Sequence, residues 1–168
     1  AANRHSSQVL PVLNYYNPLG SSQHVHGSTT RLVYPTVKSH VNLVVADTDS
    51  WEQIAAKTLE EIEEVEAYVK NAYLGFAIPY VSAGKDRWYY PDFIARCRRK
   101  DTGEVQNLVI EITGMNQDKV DKRWTMENYW LPAVNTIRAK YQMEKWEFID
   151  IANDIRDIKN RLVEKIYQ

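Results

Sequence analysis

The sequence predicts an α/β fold in one domain, with elements in the order α-β-β-β-α-β-α, and three observations point there. A length of 168 residues, 44% of them hydrophobic and 26% charged, suits one core of ordinary size. Apolar residues recur at helical spacing after residues 50, 118 and 153, and shorter runs rich in Val, Ile, Tyr and Phe lie between turn residues elsewhere. No apolar run approaches the roughly 18 residues that a membrane span needs, so a soluble chain with no membrane partner is expected.

Residues 1–30, rich in Ser, Asn, Gln, Gly and His, show no sustained period and predict an irregular arm or linker, leaving 31–168 as the folded domain. RLVYPTVKSHVNLVVA, from Arg31, offers two peripheral strands around Pro35 to Ser39. Ser50 with Gln53 has capping-box spacing, and Trp51, Ile54, Ala55, Ile62, Val65 and Val69 extend a helical pattern over 50–70. Then come a strand over 73–82, a turn at Ala83 to Asp86, a second strand over 88–99, the turn KDTGE, and a third strand, VQNLVIEITG. A helix from about Asp118 to Tyr141 is interrupted by Pro132. WEFIDI makes a fourth strand, and Ile155, Ile158, Leu162, Val163 and Ile166 mark a closing helix.

A formal net charge of −1 argues against a general nucleic-acid binder. The charges are nevertheless segregated: Arg96, Arg98, Arg99 and Lys100 cluster, as do Lys119, Lys122 and Arg123, while acids gather over Glu60 to Glu66. A neutral protein can present a basic face in this way. One cysteine, Cys97, excludes an internal disulfide framework and agrees with a reducing, cytoplasmic setting. The opening stretch has no basic-then-apolar pattern and predicts a piece of a longer chain.

The stretch LVIEITGMN carries an acid inside an otherwise apolar strand. With a tight loop at Asp101-Thr102, the second and third strands pair so that Asp92 lies opposite Glu111 on one face. Opposed residues have Cβ atoms about 4.5–5.5 Å apart, and two carboxylates at that distance raise each other's pKa unless a cation joins them. Oxygen-only ligation favours a hard ion such as Mg²⁺ or Mn²⁺ over zinc.

Pro91-Asp92, followed nineteen residues on by Glu111-Ile112-Thr113, resembles the core of the PD-(D/E)XK nuclease superfamily. Further, TDSWEQIAAKTLEE, YVKNAYLGFAIPY, YYPDF, EITGMN and NYWLPAVN resemble the C-terminal nuclease domain of type III restriction enzyme Res subunits and related helicase-nucleases, over about residues 28–168. The resemblance implies a restriction-endonuclease-like core, α-β-β-β-α-β, with a mixed central sheet flanked by helices. It implies Mg²⁺-dependent cleavage of double-stranded DNA, with Mn²⁺ as a substitute, and metal held by Asp92, Glu111 and the Ile112 carbonyl. The implied partners are DNA, a helicase/ATPase motor in the parent chain and a DNA-modification subunit. No G-x-x-x-x-G-K-[ST] motif occurs, so the motor is expected elsewhere.

Such families often add an acid from the first core helix, and seven stand between Asp49 and Glu66. The N-terminal end of that helix is expected nearest the site, which favours Glu52 and leaves the others on a solvated face. Thr113 departs from the pattern, because the superfamily has lysine there. Lys119 or Lys122 from the following helix can replace it, Thr113 can orient water in a slower enzyme, or the domain has lost cleavage and acts as a DNA-binding or interaction module of a helicase complex. The arginine cluster is expected to hold backbone phosphates. His24 and His26 lack a ligand partner in sequence and predict surface positions, Cys97 predicts a core position, and Trp124, Tyr129, Trp130 and Trp146 are read as core before base-stacking groups.

Overall fold

The computed structural model describes residues 11, 16, 21–46, 50–113, 119–152 and 154–168, and the first regular elements among them are two short strands. β1 (Val33–Pro35) and β2 (Leu43–Val45) pair antiparallel as a sheet of their own. Helix α1 (Trp51–Glu61) follows. The Ser50 side chain accepts the Gln53 amide at 3.2 Å, as the spacing predicts, and the helix stops where the Ile62 amide bonds back to Thr58. Then come β3 (Val65–Lys70), β4 (Ile78–Ser82), β5 (Lys85–Tyr89), β6 (Phe93–Arg98) and β7 (Val105–Thr113). A long helical segment runs as α2 (Lys119–Thr125), a π-helical turn (Met126–Trp130) and α3 (Leu131–Tyr141), before β8 (Lys145–Ala152) and α4 (Ile158–Ile166).

The central sheet has the order β3-β6-β7-β8, with the first two pairings antiparallel and β7-β8 parallel, so it is mixed. One face packs Phe93, Ala95, Cys97, Leu108 and Ile110 against α1 and α4, which bring Ala55, Leu59, Leu162 and Ile166. On the other face, Val109 and Phe148 meet Met126 and three residues of the β4–β5 hairpin, Ile78, Tyr80 and Tyr89. Alternation along the strands divides the two cores. The β3 edge is covered by the β1–β2 unit, since the His40 amide donates to Tyr68 O and the Tyr68 amide to Lys38 O.

The α/β class and the mixed sheet with helices agree with expectation, and several element bounds do not. The helix read over 50–70 ends at Glu61, and Val65 to Lys70 form the first strand of the sheet. Val65 and Val69 are four apart, a spacing that suits one face of a helix and one face of a strand equally. The strand read over 73–82 shrinks to β4 and joins β5 in a separate hairpin. The strand read over 88–99 is two strands broken at Tyr90 to Asp92, where Pro91 has no amide hydrogen for a ladder. At Pro132 the helix is widened into a π turn, which makes room for a ring that would otherwise press on the carbonyl of residue 128. Most of the arm expected over 1–30 lies outside the described residues; residues 21–30 carry no helix or strand and are held where the Tyr73 ring lies against Gly27 and its hydroxyl donates to Ser28 O at 2.9 Å.

Candidate functional site

β6 and β7 pair in the register Phe93↔Ile110, so the next pair outward is Asp92 and Glu111, as the loop length predicted. Both lie on the face shared by Val109 and Phe148, at the end of the sheet where β5 hands over to β6. Two bonds fix Asp92. Its Oδ2 accepts the Ile112 amide at 2.7 Å, and its carbonyl accepts the Asn71 amide at 2.8 Å. Asn71 in turn clips the 71–76 loop through both side-chain atoms, which bond the Phe76 backbone. Ile112 thus meets the site through its N–H, whereas its carbonyl is the group expected at the metal.

Glu111 is buried, and its Oε2 accepts the hydroxyl of buried Tyr89 at 3.0 Å. Lys122 Nζ stands 3.9 Å from Glu111 Oε1 and 5.2 Å from the centre of the Tyr89 ring. Beside them, β8 places Asp150 directly next to Glu111, and Lys119 Nζ lies 3.4 Å from Asp150 Oδ2. The room left among Tyr89, Glu111, Lys119, Lys122 and Asp150 is about 10 Å³, the space of a single water. Nothing is described of residues 114–118 or of the Thr113 side chain.

The electrostatics follow from burial. Asp92 is pushed up to about 6, chiefly by burial and further by the charge of Glu52, against the Ile112 amide, Lys70 and Lys122, which lower it. Glu111 is pushed up to about 7 by burial and by the Asp92 charge, with Tyr89 and Lys122 opposing and Asp150 adding to the rise. Burial also raises Tyr89 far above the ordinary phenol range, so it stays protonated and donates. Burial, more than any neighbouring charge, therefore sets both carboxyls high, and Glu111 lies close to the midpoint of its titration at neutral pH.

The structure thus gathers Asp92, Glu111 and Lys122, and adds Lys119 through Asp150. Glu52 lies at the near end of α1, as expected, but it is ion-paired with Lys70, whose Nζ also donates to Val45 O at 2.6 Å. Three participants were missed in sequence: Tyr89, Lys70 and Asp150. Asp150, set between Ile149 and Ile151 in WEFIDI, is the same signal as Glu111 between Ile110 and Ile112 and could have been flagged by it.

Other expectations separate. The arginine cluster sits toward the far end of β6, with Arg98 about 20 Å along the strand from Asp92. There Arg96 binds Glu66 and Glu144, Arg98 binds Glu66, Arg99 binds Asp101 and Lys100 binds Glu63. Glu60 is not on a solvated face, since it accepts the Val37 and Lys38 amides and the Tyr68 hydroxyl. His24 and His26 are exposed, and Cys97 is buried in the core. Trp130 and Trp146 pack edge to face with ring centres 5.4 Å apart, whereas Trp124 and Tyr129 stay exposed as a pair.

Among the described residues no three His, Cys, Asp or Glu side chains converge as a metal-holding group. Asp92 and Glu111 offer carboxylate oxygens from neighbouring positions on one face of the sheet. A hard ion such as Mg²⁺ uses one or two carboxylates and keeps several waters, and such an ion would favour the charged forms of two carboxyls set this close. The residues present fit that group. No family model, no curated protein and no solved structure matches this chain.

Proposed function

We propose that the chain is a metal-dependent DNA endonuclease domain with a restriction-endonuclease-like core. The observation that carries this reading is the pairing of buried Glu111 with half-buried Asp92, with Lys122 Nζ 3.9 Å from Glu111. A helix, three antiparallel strands, a helical crossover and a parallel strand, in that order across the sheet, add support. The reading brings with it double-stranded DNA as substrate, a helicase/ATPase motor and a DNA-modification subunit as partners, and a cytoplasmic setting.

Asp92 and Glu111, with the Ile112 carbonyl, would hold Mg²⁺, or Mn²⁺ in its place. The bound ion would supply Lewis acidity toward the phosphate and acidify the attacking water. Tyr89 keeps the Glu111 carboxylate in one orientation, and Lys122 supplies a positive charge beside it for a phosphate oxygen or the entering water. Lys119 is held by Asp150 and takes the supporting place, so Lys122 is the better substitute for the lysine absent at Thr113. Hydrolysis adds water to phosphorus and breaks one P–O bond, leaving a phosphate monoester and a hydroxyl end.

A second reading, a nuclease fold without cleavage that binds DNA or a helicase partner, is favoured by the 10 Å³ gap at the site and by Thr113. Plasmid nicking in Mg²⁺ or Mn²⁺ tests both. The nuclease reading expects Asp92→Ala and Glu111→Ala to lose roughly 100-fold or more in rate, and Lys122→Ala to lose more than Lys119→Ala. Equal nicking by variants and parent sinks it, and DNA binding without nicking supports the second reading.

A further inference from the structure

We infer that Asn71 is a positioning residue for the Asp92 carboxylate, holding it beside Glu111 in the orientation a shared metal ion needs; the part about metal rests on the nuclease reading of that pair. Asp92 falls in the gap between two strands, since β5 ends at Tyr89 and β6 begins at Phe93. The ladder to β7 starts at Phe93↔Ile110 and the ladder to β3 ends at Lys70↔Phe93, so Asp92 lies one residue beyond both. Asn71, one residue past β3, takes over there. Its amide donates to the Asp92 carbonyl at 2.8 Å, while the Ile112 amide donates to Asp92 Oδ2 at 2.7 Å. One bond holds the backbone of Asp92 and the other its carboxylate.

The Asn71 side chain decides where the Asn71 amide points. Its Nδ2 donates to Phe76 O at 2.7 Å and its Oδ1 accepts the Phe76 amide at 3.1 Å, which closes the 71–76 loop. That loop passes through two left-handed residues, Tyr73 with φ of 62° and Gly75 with φ of 71°. A tyrosine keeps such a backbone only where its surroundings hold it. Phe76 is anchored in turn: it stacks on Trp146 with ring centres 6.1 Å apart and meets Trp130 edge to face at 5.7 Å. Asp92 is thus tied through Asn71 to the aromatic core beneath α3 and β8. A carboxylate whose partners already fix its orientation binds an ion more tightly, because the ion does not have to order it.

The test uses the full chain and compares Asn71→Ala with Tyr73→Ala, which loosens the same loop at its exposed tip without touching Asp92. Amide hydrogen exchange without metal should be about tenfold faster at Ile112 in Asn71→Ala and unchanged at Leu108, in the middle of β7. Tyr73→Ala should leave both amides as they are in the parent. Calorimetric titration with Mn²⁺ should show affinity about tenfold weaker in Asn71→Ala and at the parent value in Tyr73→Ala. Exchange at Ile112 equal in parent and Asn71→Ala overturns the inference, as does equal acceleration at Ile112 and Leu108, which is the mark of a global loss of stability. Mn²⁺ affinity equal in parent and Asn71→Ala overturns it too, and leaves the metal reading standing. Faster exchange at Ile112 alone, in a chain whose parent binds no Mn²⁺, upholds the hold of Asn71 on Asp92 and discards the metal.

Discussion

The two ends of β6 carry charge in opposite ways. At its C-terminal end, arginines and a lysine lie at the surface against Glu63, Glu66, Asp101 and Glu144. Hydrogen bonds from Lys100 and Arg98 hold the Glu63 and Glu66 carboxyls below their ordinary range. At the other end, burial pushes Asp92 and Glu111 up, with Glu52 and Asp92 adding to the rise and the nearby lysines opposing it. Surface charge that is already cancelled holds strands together weakly. Buried charge left uncancelled costs stability and is kept where a ligand can use it. The basic cluster that drew attention in sequence is thus the ion-paired end, and the sparse acids mark the end where we propose the chemistry.

This contrast can be broken by substitution, and the largest effect should come from Glu111→Gln. Because Glu111 titrates near 7 when folded and near the ordinary 4.3 when unfolded, the folded state holds its proton longer. Stability should fall as pH rises from about 4.5 to about 7 and level off above. Glu111→Gln should be stabilising by roughly 2 kcal/mol at pH 7.5, neutral at pH 4.5, and should flatten that slope in urea melts. A variant less stable than the parent at pH 7.5 would show that Lys122 and Tyr89 already balance the acid. Tyr89→Phe comes next: it removes one buried hydrogen bond to a carboxylate and should cost about 1–2 kcal/mol near neutral pH. Its effect should shrink at pH 4.5, where Glu111 is protonated. Arg98→Ala, at the paired end, should change stability by less than about 0.5 kcal/mol at any of these pH values. A larger loss there would erase the contrast between the ends.

Much of this was legible in the chain. Asp101-Thr102 fixed a loop length, the loop fixed a register, and the register put Asp92 opposite Glu111. Antiparallel direction alone brought the start of α1, and so Glu52, toward that end. What could not be read depended on long-range contacts. Nothing in WYYPDF says which tyrosine turns inward, because that choice follows from the hairpin packing on Met126 and Val109. Val65 and Val69 satisfied two periods at once, so the end of α1 was set by the open edge of β6 that β3 completes. Lys70 pairs with Glu52 across eighteen residues, a separation with no local signature.

The π turn between α2 and α3 carries one more consequence. Its extra residue rotates everything downstream by about 100° relative to an unbroken helix. Upstream, Lys119 and Lys122 are aimed at Asp150 and Glu111; downstream, Trp130 and Leu131 are aimed at the aromatic core around Phe76 and Trp146. A chain one residue shorter at Glu127 to Tyr129 would satisfy either the lysines or the tryptophan and not both. In this stretch of exposed side chains, residue count constrains the protein more tightly than residue identity.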